Sequence, residues 1–226
     1  MKCLFPIADI KLFYFSFAPI DSRMYLLIAN KQALIIDPFV NETARQLLKD
    51  HNVADVIILP THEHYDHISG INWLKTYFKC NVIACEPCAK NMANPKRNAS
   101  AHFEALFVFA SDEDKAKIAE QNIQPYICTA DEVFNKYKTF FWQNYKIEIY
   151  QTPGHSQGSV CIIVDHIYAF TGDSLIKGVQ TITRLPGGNK NDFAEYTLPF
   201  LKGLSLSSII FPGHGSSGPI QEFLLG

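Results

Sequence analysis

The chain has 226 residues, 47% of them hydrophobic, which is enough apolar material for one substantial core. Its 20 Lys and Arg stand against 22 Asp and Glu, and the resulting net charge of -2 gives no electrostatic basis for gripping nucleic acid or an anionic membrane; a small substrate is the expected partner. The apolar N-terminus is interrupted by Pro6, Asp9 and Lys11 before any signal-peptide core or membrane span is reached, so a soluble, cytoplasmic protein is expected.

In chain order, residues 10–17 and 24–28 read as strands around a turn that begins at Pro19. Residues 33–36 form a third strand, stopped by Asp37-Pro38, which makes an antiparallel meander. Asn41 is placed to cap a helix with Ala44, Leu47 and Leu48 on one face, and residues 56–59 form the next strand, ended by Pro60.

Directly after that strand comes His62-Glu63-His64-Tyr65-Asp66-His67, which sets three imidazoles and the Asp66 carboxylate within six residues. Imidazole nitrogen and carboxylate oxygen are donors that zinc, iron and manganese accept, and one ion needs about four of them. Residues two apart in an extended segment point the same way, so His62 and His64 are expected to clamp one ion. Asp66 and His67 are adjacent and are expected to diverge, which places a second ion beside the first. Gly70, followed by Ile71, Trp73, Leu74 and Phe78, reads as a turn into an amphipathic helix, so the motif sits on a strand-to-helix loop.

Residues 80–84 form another strand, and the less regular stretch 87–139 reads as a lid or insertion within a single domain spanning 1–226. Ser111 and Asp114 resemble a capping box for a polar helix containing Ile118. The aromatic patch Phe103, Phe107 and Phe109 is placed either to line a substrate cleft or, as base rates favour, to pack on the core. Cys85-Glu86-Pro87-Cys88 has the spacing of zinc ribbons and redox dithiols, with Cys80 nearby, but no second pair follows it. Cys3, Cys80, Cys85, Cys88, Cys128 and Cys161 are therefore expected to be ordinary reduced thiols.

The last third returns to strands at 146–150, 159–164 and 168–170, then a helix over 192–202 and a final strand at 208–211. Three of these strands end on glycine-containing turns that carry a ligand-type residue: Thr152-Pro153-Gly154-His155, Thr171-Gly172-Asp173 and Pro212-Gly213-His214. Hairpin strands interleaved with helices in both halves predict an α+β protein with two packed sheets covered outside by helices.

Taken together, His62, His64, Asp66, His67, His155, Asp173 and His214 resemble the full ligand pattern of the metallo-β-lactamase-fold hydrolases. The resemblance runs from Ile35-Ile36-Asp37-Pro38 to Pro212-Gly213-His214. It implies an αβ/βα four-layer sandwich of two mixed β-sheets flanked by helices. It also implies that His62, His64 and His155 hold a first metal, that Asp66, His67 and His214 hold a second, and that Asp173 bridges them. An aspartate at the bridging position is similar to glyoxalase II-type thioesterases and lactonases rather than to drug-hydrolysing lactamases. Leu185-Pro186-Gly187-Gly188-Asn189 resembles a loop of short glyoxalase II-like proteins, although Thr181-Ile182-Thr183-Arg184 replaces the Gly-Arg pair and aspartate usual before it. Glyoxalase II also carries a helical C-terminal domain that contacts glutathione, whereas this sequence stops at Gly226, so glutathione thioesters stay an open question.

The chemistry implied is hydrolysis of a small thioester or ester by a hydroxide shared between two divalent ions, which lower the pKa of water from ~15.7 toward ~7. Zinc is the default from the donor set, and iron or manganese fits it nearly as well. Asp66 is expected to pass a proton to the leaving group. Gly158-Ser159 lacks the glycine pattern of a nucleophile elbow, so no serine nucleophile is expected. The competing readings are a lactonase on the same metals, a one-iron dioxygenase of the same fold, and a metal-binding partner protein without turnover; a nuclease ranks below them.

Around this set, Asp37 reads equally as an acceptor for a ligand imidazole and as a turn residue before Pro38. Lys177, Arg184 and Lys190 are placed to meet a substrate carboxylate, with solvated charges the favoured reading for each. Tyr65 either faces the cleft or packs beneath the loop. His51, His102 and His166 have no ligand-type neighbours and read as surface or structural histidines.

Overall fold

The computed structural model describes residues 3–7, 10–18, 20–108 and 110–223, with side chains from Ile10 onward. The expectations resting on Pro6 and Asp9, on Pro19, on Phe109 and on the Cys3 thiol lie outside the described residues or side chains.

The first sheet follows chain order. Strands β1 (Cys3–Ile7), β2 (Ile10–Phe17), β3 (Ser22–Ala29) and β4 (Gln32–Ile36) pair antiparallel, and β5 (Asp55–Leu59), β6 (Lys79–Cys85) and β7 (Glu132–Phe134) add in parallel. Asn30 and Lys31, both at positive φ (45° and 63°), make the two-residue turn between β3 and β4, whose backbone twist matches that of the flanking strands. The change to parallel pairing requires a crossover, supplied by α1 (Glu42–Asp50). Its cap is the predicted one: Asn41 Oδ1 accepts the Ala44 N–H at 2.9 Å, and Ala44 and Leu48 are buried.

In the second sheet β8 (Tyr137–Trp142), β9 (Tyr145–Gln151), β10 (Val160–Val164) and β11 (Tyr168–Gly172) pair antiparallel, β12 (Ile209–Pro212) lies parallel to β11, and the short β13 (Gly218–Pro219) closes the edge. Every residue of β10 is buried, as expected of a central strand covered on both faces. Val160, Ile162 and Val164 join the core shared with the first sheet, and Ile163 points the other way, into a smaller cluster with Ile220 and Phe223 and with Phe200 and Leu204 beside it.

The sheets meet face to face around Tyr25, whose ring stands edge-on to Phe170 and Phe211 at centroid distances of 5.2 and 5.4 Å. Its hydroxyl donates to the Pro212 carbonyl at 2.7 Å, so this buried phenol pins one sheet to the strand end that carries His214. With α1 and α3 (Ile71–Lys75) on one outer face and α7 (Leu198–Lys202) on the other, the architecture is the four-layer αβ/βα sandwich.

Several local expectations need correction. The helix expected over 192–202 is α6 (Lys190–Asp192), a π-helical turn (Phe193–Thr197) and α7 in succession, with Pro199, which cannot donate an N–H, in the first turn of α7. The amphipathic helix after Gly70 stops at Lys75, short of Phe78. The stretch 87–139 is more regular than expected. It holds most of α4 (Glu86–Met92), a 3₁₀ segment (Ser100–Phe107), α5 (Asp112–Glu120), β7 and the start of β8. The Ser111 cap of α5 is present, with its Oγ accepting the Asp114 N–H at 3.1 Å.

No helix among the described residues is long and apolar enough to cross a membrane. Cys85, Cys88, Cys128 and Cys161 are buried free thiols, and burial pushes Cys85, Cys128 and Cys161 each up to about 12, so none is a ready thiolate.

Candidate metal centre

The four segments that carry ligand-type residues all leave the same end of the sandwich. The loop 60–64 follows β5 and leads into the short helix α2 (Tyr65–Ile68), and the His155 turn follows β9. Asp173 follows β11 and His214 follows β12. Because β11 and β12 run parallel with Gly172 opposite Pro212, Asp173 and His214 emerge side by side. The His214 loop is tied to the first sheet as well, through the Arg23 N–H on the Gly213 carbonyl at 2.7 Å.

All seven residues are brought together. His62 Nε2 lies 3.1 Å from His64 Nδ1, and His155 Nε2 lies 3.0 Å from the same atom. On the other side, His67 Nε2 is 3.1 Å from Asp66 Oδ2, and His214 Nε2 is 3.4 Å from Asp66 Oδ2. Asp173 stands between the two groups: its Oδ2 is 3.5 Å from His155 Nε2 and 3.4 Å from His214 Nε2, and its Oδ1 is 3.6 Å from His67 Nε2. The expected divergence of Asp66 and His67 does not occur, because both lie on the helical turn of α2, where neighbours are rotated by roughly 100° rather than alternating as in a strand.

Each of the five imidazoles has one nitrogen engaged by an acceptor and presents the other to the centre. His62 Nδ1 meets Thr61 Oγ1 (3.1 Å), His64 Nε2 meets the Pro186 carbonyl (3.3 Å) and His67 Nδ1 meets Asp37 Oδ2 (2.9 Å). His155 Nδ1 meets the Ile182 carbonyl (2.9 Å), and His214 Nδ1 meets the Ile20 carbonyl (2.9 Å). The Thr61 hydroxyl is itself committed as a donor to Asp37 Oδ2, so it accepts from His62. These partners assign the ring protons to the outer nitrogens, which leaves His62 Nε2, His64 Nδ1 and His155 Nε2 as bare lone pairs facing one another. Such a cluster is repulsive unless a cation sits among them. Nitrogens on a tetrahedral zinc are separated by about 3.3 Å, close to the spacings here.

Of the five buried side-chain polar atoms without a hydrogen-bond partner among the described residues, two belong to this set, His67 Nε2 and Asp173 Oδ1; the 3.1 Å approach of His67 to Asp66 is not aligned as a hydrogen bond. Both aim into the centre. The donor set and its orphaned atoms therefore fit divalent metal ions, with three subsets close enough to hold one: His62, His64 and His155; His62, His67 and Asp173; and Asp66, His67 and His214.

The electrostatics divide the cluster. Burial and the positive field of neighbouring imidazoles hold His62 far below the usual histidine range, and burial with His155 brings His64 down to about 4, so this end is neutral. At the other end burial opposes charge, but Asp173 and Asp66 outweigh it and push His214 up to about 10. Burial likewise works against the Asp173 carboxylate, and His214, His67 and His155 overcome it, holding the group well below the usual carboxylate range.

Behind the centre sits Glu63, a wholly buried carboxylate not among the sequence candidates. Its Oε1 accepts from Asn91 Nδ2 at 2.8 Å and its Oε2 from Ser156 Oγ at 2.9 Å, which joins the His62/His64 loop to α4 and to the residue after His155. The same alternation that turns His62 and His64 one way turns Glu63 the other, and that signal is present in the sequence. Asp37 fills both of its proposed parts: it holds His67 and the Thr61 N–H, and it makes the turn at φ 54°.

In front of the centre is a cleft of about 760 Å³ reached by His64, Asp66, His155, Asp173 and His214. Residues between 99 and 108 and between 110 and 118 form one wall, and residues between 176 and 185 form the other. Tyr65 packs beneath the first wall, edge-on to Phe103 (5.5 Å) and Tyr126 (5.6 Å). Lys177 pairs with Glu222, and Arg184 lines the cleft while staying exposed, as expected of a solvated charge. The three histidines set aside do not join the centre; His51 bonds the Leu47 carbonyl and His166 pairs with Glu148.

Residues 19–214 match the family model of the metallo-beta-lactamase superfamily. The chain is 28% identical over 201 residues to the probable metallo-hydrolase YqgX of Bacillus subtilis, a match covering 87% of this chain and 86% of that protein. It is 25% identical over 202 residues to a hydroxyacylglutathione hydrolase of Prochlorococcus marinus, covering 86% of this chain and 65% of the relative. Among solved structures, BLEG-1 B3 metallo-beta-lactamase superposes with a TM-score of 0.75 at 24% identity, over 93% of this chain and 95% of that one, a likeness of fold.

Proposed function

The chain belongs to the metallo-beta-lactamase superfamily, and from that membership we propose that it is a dinuclear metal-dependent hydrolase of a small acyl thioester or ester. One observation carries the reading: five imidazoles, each oriented by an outer hydrogen bond, turn their free nitrogens toward the Asp66 and Asp173 carboxylates in a buried centre at the floor of a cleft. In this reading His62, His64 and His155 hold one ion, Asp66, His67 and His214 hold the other, and Asp173 serves both. Zinc is the expected metal, with iron and manganese as the alternatives the same donors accept.

When bound, such ions supply Lewis acidity to a carbonyl oxygen and bring the pKa of water from ~15.7 toward ~7. The chain's own residues do the rest. The carbonyls of Ile182, Pro186 and Ile20 and the Asp37 carboxylate fix ring orientation, so the donors are arranged before substrate arrives. Asp66 lines the cleft and is assigned delivery of a proton to the leaving group. The apolar walls reduce the water around the reacting carbonyl and strengthen the electrostatics there. The net charge of -2 favours a small soluble substrate over nucleic acid or membrane, with the cytoplasm as the place of action.

Thioesters lead over other acyl substrates because a relative matched over 86% of this chain is a hydroxyacylglutathione hydrolase. Elemental analysis of purified protein, followed by thioester, ester and lactone panels with that metal replenished, tests the proposal. Two ions per chain and thioester turnover are expected, with turnover abolished and metal occupancy weakened in Asp173→Asn. A single iron per chain with oxygen consumption and no hydrolysis would overturn it in favour of the dioxygenase reading, and full activity in Asp173→Asn would remove the bridging role.

A further inference from the structure

Resting on the hydrolase reading, we propose that the cleft selects a monoanionic substrate, with an apolar acyl chain lying between Phe107, Val108 and Ile118 on one side and Val179 and Ile182 on the other, and a leaving-group carboxylate paired with Arg184. The walls are apolar on both sides of the metal centre. Val108, Val179 and Ile182 are 58%, 48% and 42% exposed, and all three line this one cleft, where a ligand would cover them together.

The first wall is fixed in advance. Phe103 is buried and packs on Tyr65 and on Phe107, while the Tyr126 hydroxyl, donating to the Ile68 carbonyl at 3.2 Å, anchors the layer beneath to α2. The second wall is tied to the centre by backbone, since the Ile182 and Pro186 carbonyls receive His155 and His64. Arg184 lies between those two contacts, so its position is coupled to the ligand histidines.

The charged groups lining the cleft beyond the centre itself are Arg184 and Asp114. Asp114 already accepts from Ser111 Oγ at 2.7 Å, whereas Arg184 has no hydrogen bond or ion pair among the described residues. A guanidinium with five donors and no partner on the cleft wall calls for a carboxylate, and one guanidinium calls for one. In the reaction the acyl–sulfur or acyl–oxygen bond breaks, the oxygen of water stays on the acyl carbon, and a proton goes to the leaving thiol or alcohol. The products are an apolar carboxylic acid and a thiol or alcohol that keeps its carboxylate.

The test uses metal-loaded protein and two matched series. S-alkyl 3-mercaptopropionates from ethyl to octyl, thioethers that cannot be hydrolysed, are titrated calorimetrically, and the corresponding S-acyl thioesters are assayed for turnover beside S-acyl 3-mercaptopropanols. The expected result is a Kd falling by about two- to fourfold per added methylene up to hexyl. A preference of at least tenfold for the carboxylate over the alcohol is also expected. Val108→Asp flattens the chain-length slope, and Arg184→Gln removes the carboxylate preference and leaves the slope intact. Flat binding across the alkyl series, or an unchanged carboxylate preference in Arg184→Gln, overturns the inference even if short thioesters are hydrolysed. Graded thioether binding without turnover of any acyl compound would instead sink the hydrolase reading and leave the cleft assignment standing.

Discussion

Asp37 and His67 form a buried pair in which the carboxylate decides which imidazole nitrogen faces the metal centre. Asp37 Oδ2 accepts from His67 Nδ1 at 2.9 Å, and its Oδ1 accepts the Thr61 N–H at 2.6 Å. Asp37→Asn keeps the shape, and asparagine tolerates the φ of 54°. With the amide oxygen held by Thr61, the new NH₂ faces His67 and forces Nδ1 to accept, which moves the ring proton to Nε2, where a metal needs the lone pair. Because Oδ2 also accepts the Thr61 hydroxyl that receives His62, the same exchange disturbs the His62 ring, and a roughly 10- to 100-fold weaker metal affinity is expected. Chelator competition followed by elemental analysis reads it, and two ions retained at undiminished affinity would contradict it.

Glu63 makes a second prediction, because its two carboxylate oxygens join segments far apart in sequence. Glu63→Ala leaves the buried Asn91 amide without its acceptor and empties the space the side chain filled. The stranded donor costs ~1–3 kcal/mol and the cavity adds to it, so a loss of about 3 kcal/mol in unfolding free energy is expected. Glu63→Gln keeps one acceptor for Asn91, and the Ser156 hydroxyl can turn to Ser159 Oγ, 2.9 Å away, so it should lose about 1 kcal/mol. Urea denaturation of the three metal-free proteins separates these outcomes, and equal stabilities would mean Glu63 is not a structural bolt.

Gly213 sits where a side chain would collide with the bridging candidate: a Cβ there would overlap Asp173 Oδ1 and come within 2.9 Å of the Gly172 carbonyl carbon. Gly213→Ala should therefore displace the Asp173 carboxylate, lower turnover by about 100-fold and cost ~1–3 kcal/mol of stability. Gly203→Ala is the control, since its Cβ meets ordinary van der Waals contacts of 3.4 Å at a helix end. Wild-type metal content and rate in Gly213→Ala would show that the carboxylate has room to move.

The ligand loops are legible in the sequence because each couples a strand end to a tight turn, and side-chain identity alone marks a donor. The meander, the Asn41 cap and the all-buried β10 are legible for similar reasons of period and capping. What orients the donors is not: the Ile20, Ile182 and Pro186 carbonyls belong to residues whose side chains say nothing about them. Strand β8 escapes notice because it is an edge strand with Phe141 largely exposed, so its apolar residues do not mark a buried face. Helix α4 does carry a readable start, Pro87 in its first turn, but the paired cysteines around it draw attention to metal binding instead.

A last prediction concerns acid stability away from the centre, at Glu148 on β9. Its Oε1 accepts from Lys146 Nζ (2.9 Å) and from the Tyr137 and Tyr150 hydroxyls (3.1 Å each), and Oε2 lies 2.9 Å from His166 Nδ1. Burial would raise this carboxyl, but Lys146 and the two tyrosines outweigh it and hold it below the usual range. A carboxyl whose folded pKa lies below its unfolded value of about 4.3 stabilises the fold fully above that pH, and the contribution fades as pH falls through the folded pKa. Glu148→Gln should therefore unfold more easily than wild type by about 1–2 kcal/mol at pH 7 and pH 6, with the gap closing below about pH 4. Urea midpoints at pH 7, 5 and 3.5 check this. A gap that stays constant into acid would mean that shape and neutral hydrogen bonds, not the ionised carboxylate, hold the tyrosines and Lys146 in place.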